Sequence, residues 1–192
     1  MQPIQMAEPP WMPIARGELG IKEIPGPQAE ARIQEYHATT RLSALSDEVP
    51  WCSSFVNWVM LKAGLTGTDS ASADSWDSWG EECGCLYGAI TVLRYVDKHQ
   101  HAQHHVGFLA GRNEVLRVAG ALYIVHRSLL ERQLDHSRPL IQLLGGNQSD
   151  SVCEKLFDES LALTYRMPNH WLRSQLPVAD AHSVVSGANE TR

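Results

Sequence analysis

A chain of 192 residues is long enough to bury a core and short enough to form one domain. A net charge of −6 with no Lys/Arg block argues against a nucleic-acid or anionic-membrane binder, and no apolar run approaches the ~18 residues of a transmembrane helix. Four cysteines are too few for a disulfide scaffold at this length, so free thiols or one optional disulfide are expected.

Residues 1–10 carry neither a basic nor an apolar segment, so they are read as a flexible N-terminus without a Sec signal. Trp11 to Leu19 has the spacing of a short helix stopped by Gly20. Pro25-Gly26-Pro27 marks a turn, and Ala29 to Thr39 is a second helix with Ile33, Tyr36 and His37 toward the core. Arg41 to Val49 is a polar approach loop. It leads into Pro50-Trp51-Cys52, where a helix starts that runs to Ala63, with Phe55, Val56, Val59 and Met60 on one face and Gly64 as its stop. Cys52 thus sits at a helix N-terminus, where unpaired N–H groups and the helix dipole favour a thiolate. That is a place for a nucleophile, and equally for one more buried small apolar side chain.

The small polar run Thr66 to Ala73 reads as a loop leading to a short helix through Trp76 and Trp79, and Gly80 to Cys85 as a break. Ala89 to Val96 is β-branched and aromatic, a strand. Asp97 to His104 is a loop, and His105 to Gly111 a second strand forming a hairpin with the first. Between Val115 and Gln142 the pattern is mixed: Leu122 to Val125 suits a strand, and Ser128 to Leu134 has helical spacing. Leu140 to Leu144 is a strand ended by Gly145-Gly146, and Asn147 to Ser151 a turn. Val152 to Phe157 and Leu161 to Arg166 suit two more strands, and 171–192 a disordered tail. Helices first and strands later predict an α+β domain over 11–170, with the Cys52 helix packed on an antiparallel sheet.

Attack on a carbonyl by a thiolate needs a base, and a third group that fixes the base. The order Cys52, His105, then Asn147 or Gln148 meets that requirement, and a backbone N–H at the helix start, such as that of Cys52, is the natural oxyanion donor. His105 is also readable as a core or edge histidine with a local hydrogen bond. Trp51 and Trp76 either line the substrate groove or pack the core. Cys83 and Cys85 with His99, His101 and His104 could form a zinc site, but the spacing is irregular, so no metal or other cofactor is expected.

Several stretches carry a resemblance: Glu18-Leu19-Gly20-Ile21-Lys22-Glu23-Ile24-Pro25-Gly26-Pro27, Val49-Pro50-Trp51-Cys52-Ser53-Ser54-Phe55-Val56-Asn57-Trp58, Ser75-Trp76 with Trp79-Gly80, His105-Val106-Gly107-Phe108, and Leu144-Gly145-Gly146-Asn147-Gln148-Ser149-Asp150. In this order, over about residues 10–168, they resemble the NlpC/P60 and CHAP superfamily of bacterial papain-like cysteine peptidases and amidases. The resemblance implies the papain-like fold, with Cys52 as nucleophile, His105 as base and Asn147 as the orienting group; Gln148 and Asp150 are alternatives for the third role. Trp51, Trp76 and Gln148 are assigned to the substrate.

It also implies cleavage of an amide bond in the peptide part of peptidoglycan, by a wall-remodelling enzyme, a phage-type lysin or an antibacterial effector. An effector of the type VI secretion kind would be made in the cytoplasm, exported without Sec through a secretion apparatus, act in the periplasm of a target cell, and be paired with an immunity protein. An inactive binding module and an acyltransferase are the competing functions on the same scaffold. The chain departs from the family pattern by an insertion at about 112–142, which would lid the cleft, set specificity, meet a partner or merely elaborate the surface.

Overall fold

The computed structural model describes residues 8–26, 28–42, 46–97, 99–118, 121–125 and 138–175. Helices α1 (Trp11–Gly17), α2 (Ala31–His37) and α3 (Cys52–Lys62) come first, followed by a 3-10 turn at Ala73–Trp76. The strands are β1 (Glu81–Glu82), β2 (Ile90–Val96), β3 (Ala102–Val118), β4 (Ala121–Val125), β5 (Arg138–Gly145), β6 (Cys153–Asp158) and β7 (Ala162–Met167). A second 3-10 turn, Glu159–Leu161, joins β6 to β7, and α4 (Trp171–Gln175) ends the described chain. The domain is α+β. All described strand pairs are antiparallel, in the order β1-β7-β2-β3-β5-β6, with β4 also on β3.

Helix α3 is the centre of the molecule. Its nine residues from Cys52 to Met60 are all buried, so it is enclosed on every side, where the spacing of Phe55, Val56, Val59 and Met60 predicted one buried face. Polar side chains make this possible because each finds a partner. Asn57 donates to the Ser53 and Ser70 carbonyls and accepts from the Thr68 and Asp69 N–H groups, which pins the 66–72 loop to the helix. Ser53 Oγ donates to the Ser70 carbonyl at 2.7 Å and accepts from Trp76 Nε1 at 2.9 Å. Ser54 Oγ lies 3.0 Å from His37 Nδ1. On the α2 side Tyr36 meets Trp51, Phe55 and Trp58 with ring centroids 5.8, 5.4 and 5.3 Å away. On the sheet side Phe55 meets Phe108 of β3 edge-on at 6.2 Å.

The sheet is curled. Strands β6 and β7 stand four places apart in its order; in a flat sheet that separation is about 19 Å at ~4.8 Å per strand. Three residues of 3-10 helix join them, and a 3-10 helix rises only ~2 Å per residue. β6 must therefore approach β7, so the edge that β6 forms curls back over one face of the sheet. The ring of Phe157 in β6 accordingly lies 5.8 Å from that of His105 in β3, although β5 separates the two strands.

The predicted β2–β3 hairpin forms, with Leu93 opposite His105 and Ile90 opposite Phe108. β3 runs on past the predicted end to Val118, where it pairs with β4 and β5. The described part of the insertion is thus a continuation of the sheet. It begins at about residue 112, seven residues along β3 from His105 and about 23 Å away at ~3.3 Å per residue. The helical spacing noted at 128–134 lies outside the described residues. The Gly80 to Cys85 break contains the short strand β1, paired with β7. Trp171 does not begin the tail: it starts α4 and packs against Trp11 with centroids 5.0 Å apart. No described helix is long and apolar enough to cross a membrane.

Candidate active site

Cys52 is the first residue of α3, after Trp51, whose side chain caps nothing. The helix N-terminus therefore keeps its first N–H groups for other acceptors. The Cys52 sulfur lies near three backbone N–H groups: two at the helix start, that of Ser53 and its own, and that of Val106 in β3. These favour a thiolate, as expected of a helix start. Burial opposes them and prevails, so the thiol is pushed above its ordinary value. The magnitudes account for the order: a helix terminus is worth ~0.3–1 kcal/mol, whereas complete desolvation of a charge moves a pKa by up to ~3–5 units. Only 7% of Cys52 is exposed. At rest it is a neutral thiol.

His105 stands next to Val106 on β3 and is 8% exposed. Its Nε2 is 3.2 Å from Gln148 Oε1. The amide of Gln148 has only one orientation that satisfies it: its NH2 faces the carbonyls of Leu143 and Gly145 at 3.2 and 3.3 Å, and that of Cys153. Oε1 must then be the atom that meets the imidazole, and an amide oxygen only accepts. Nε2 carries the proton, and Nδ1 carries the lone pair. Burial holds the imidazole down to about 4; the bond to Gln148 works against that shift, and the Lys155 charge adds to it. At neutral pH His105 is an uncharged base in a defined tautomer.

The residue expected to hold His105 was Asn147. The structure assigns that hydrogen bond to Gln148, the next residue. Asn147, Ser149 and Asp150 all take left-handed backbone conformations, with φ of 56°, 57° and 60°. In this tight turn Gln148 points inward, 2% exposed, and bonds His105, while Asn147 lines the cavity beside it. The same finding moves Gln148 out of the substrate-binding role, because both ends of its amide are engaged within the protein. Asp150 makes no contact with His105 among the described bonds; its carbonyl accepts from the Glu23 N–H.

Trp51 and Trp76 are likewise corrected. Both are wholly buried and cannot touch a substrate as they stand. Trp51 Nε1 donates to Glu23 Oε1 at 2.7 Å, and its ring closes over Gly146: a Cβ there would lie 2.5 Å from Trp51 Cζ3 and 2.7 Å from Phe55 Cβ. Gly146 is needed for this close approach. It brings the turn carrying Gln148 against the start of α3. A Cβ on Gly145 would lie 3.4 Å from His105 Nε2.

No family model, curated protein or solved structure matches this chain.

Beside His105 is a cavity of about 380 Å³, lined by Tyr95, His105, Asn147, Gln148, Ser149, Lys155, Phe157 and Leu161. Cys52 is not part of that lining, and its thiol forms no hydrogen bond with His105 among the described contacts. The two are linked through Val106 and through Tyr95, whose phenol is pushed up by burial and then by the Cys52 sulfur. Catalytic hydrogen bonds are often long before substrate binds and tighten only in the complex. The histidines at 99 and 101 belong to a turn organised by Asp97, whose Oδ1 accepts from both their N–H groups. No three His, Cys, Asp or Glu side chains among the described residues converge as metal ligands.

Proposed function

We propose that the protein is a cysteine hydrolase of the papain-like type that cleaves an amide bond in the peptide part of peptidoglycan. One observation carries the reading. His105, on the strand whose next N–H faces the Cys52 sulfur, is fixed by Gln148 as a neutral base with its lone pair on Nδ1.

Because thiol and imidazole are both uncharged at rest, proton transfer accompanies attack. The Cys52 sulfur bonds to the substrate carbonyl carbon as His105 Nδ1 takes the thiol proton. N–H groups at the start of α3 receive the oxyanion. His105 returns the proton to the departing amine as the C–N bond breaks, leaving a thioester on Cys52. His105 then deprotonates a water that adds to the thioester carbonyl, and as the C–S bond breaks the acid departs and the proton returns to the Cys52 sulfur. The step asks of Gln148 only that it hold the ring and accept from Nε2 while the imidazolium exists.

The peptidoglycan substrate, and the setting of an injected effector with its immunity protein or of a lysin, come from the resemblance of the sequence motifs. The catalytic reading is tested by digesting purified sacculi and weighing the soluble fragments. Hydrolysis adds one water across the cut bond; acyl transfer adds an acceptor amine. Intact sacculi after incubation with the folded protein would overturn it.

A second reading is favoured by a specific observation. The thiol is buried, protonated and unbonded to His105, as in a binding module that keeps the scaffold without the chemistry. Alkylation separates the two: a Cys52 that resists iodoacetamide with substrate peptide absent and present supports the binding module.

A further inference from the structure

The 380 Å³ cavity beside His105 has an uneven chemistry. Phe157 and Leu161 give it apolar wall. Asn147 and Ser149 give it neutral polar groups on the turn that presents Gln148, and Tyr95 adds a phenol. Among the described residues its lining holds one lysine, Lys155, and no carboxylate, although the whole chain is acidic, with 22 Asp and Glu against 16 Lys and Arg.

Lys155 forms no ion pair with a carboxylate among the described residues. Its Nζ is 3.4 Å from Ser149 Oγ and 6.0 Å from the centre of the Phe157 ring. The acidic residue next to it in sequence, Glu154, is taken up by Gln142, whose Nε2 donates to Glu154 Oε2 at 2.6 Å. The Lys155 charge is felt inside the cavity, since it acts on His105. Lys155 is exposed to solvent, and it lines the cavity on the same side as the Phe157 ring and the Ser149 hydroxyl.

We propose that this cavity binds a carboxylate of the substrate, and that Lys155, helped by Ser149, is the residue that selects it. The identity of the ligand as a stem peptide rests on the hydrolase reading; the preference for a carboxylate rests on the cavity. Stem peptides offer two such groups, the α-carboxylate of a γ-linked D-glutamate and the C-terminal carboxylate. Either could pair with Lys155 in the lining, with the apolar wall of Phe157 and Leu161 covering the adjoining methylenes or methyl group.

The experiment measures binding without turnover. Cys52→Ala protein is titrated by calorimetry with the tripeptide L-Ala-γ-D-Glu-L-Lys, and with two analogues in which either the D-Glu α-carboxylate or the C-terminal carboxylate is an amide. The titrations are repeated with Lys155→Met and Lys155→Arg added. One of the two amides is expected to weaken binding about tenfold, which names the carboxylate read. Lys155→Met should weaken the parent peptide by a similar factor and leave that amide unaffected, and Lys155→Arg should retain most of the affinity. Equal weakening of all three peptides by Lys155→Met, equal affinity for all three in its parent, or no binding of any overturns the proposal. Sacculus digestion by the wild-type chain reports separately on the hydrolase reading: activity without carboxylate preference sinks only the inference, and preference without activity sinks only the hydrolase.

Discussion

Gln148 Oε1 lies 3.2 Å from His105 Nε2, and the NH2 of the same amide is spent on three backbone carbonyls. One side chain thus ties together β3, the end of β5, the start of β6 and the tautomer of the imidazole. Removing it should cost stability and activity together. Gln148→Ala leaves the carbonyls and Nε2 without this partner, for a loss of about 1–3 kcal/mol in urea unfolding. Its rate of fragment release from sacculi should fall at least about a hundredfold, because Nδ1 no longer holds the lone pair by default. Asn147→Gly, which suits the left-handed backbone there, should stay within about threefold of wild type.

Asn147 and Gln148 show where the sequence runs out. The helix start at Cys52 was legible because Pro50-Trp51 interrupts an extended approach, and the β2–β3 hairpin was legible from its β-branched runs on either side of a polar loop. Which of two neighbouring amides turns inward depends on left-handed conformations at Asn147, Ser149 and Asp150, and nothing local announces these in residues that are not glycine. The curl of the sheet depends on the three-residue join between β6 and β7, a fact about strand order rather than about any segment. The depth of Cys52 was also hidden: the helix-start argument weighs the dipole correctly but has no access to burial, the larger effect.

The glycine pair separates packing from positioning. Gly146→Ala drives a methyl into Trp51 and Phe55, so the turn must move away from α3, at about 1–3 kcal/mol of stability. Gly145→Ala meets Gln148 Cδ at 3.2 Å and His105 Nε2 at 3.4 Å, contacts that side chains can partly relieve. It should unfold nearly as wild type does, yet lose activity because the Gln148–His105 bond is displaced. Urea midpoints and fragment-release rates measured on both variants check the contrast.

Acid should weaken the fold through His105. Its folded value is lowered to about 4 from the 6.5 of a free imidazole, so between these values the unfolded chain holds a proton that the folded chain rejects. The contribution is fully present above pH 6.5, is lost as pH falls toward 4, and levels off below; the shift corresponds to about 3 kcal/mol. His37, wholly buried and also lowered by burial, acts in the same direction. Urea unfolding between pH 7 and 4 should show stability falling, with a shallower slope in His105→Gln. The rate of hydrolysis should keep its acid limb below pH 6.5, since the base is already neutral there.

Trp76 tests the reassignment of the tryptophans. With its ring wholly buried and Nε1 bonded to Ser53 Oγ, Trp76→Ala should cost about 3–5 kcal/mol. Trp76→Phe should cost less and leave KM unchanged. A raised KM in a Trp76→Phe protein of near wild-type stability would return the ring to the substrate groove.

The most direct test of the account is the rate at which Cys52→Ala releases peptide fragments from purified sacculi, beside wild type and with near-ultraviolet circular dichroism to show that both are folded. The thiol is the only group asked to form a bond to substrate, so the variant should fall by about a thousandfold or more while its spectrum stays that of the wild type. A folded Cys52→Ala protein that releases the same fragments at the wild-type rate would contradict the account.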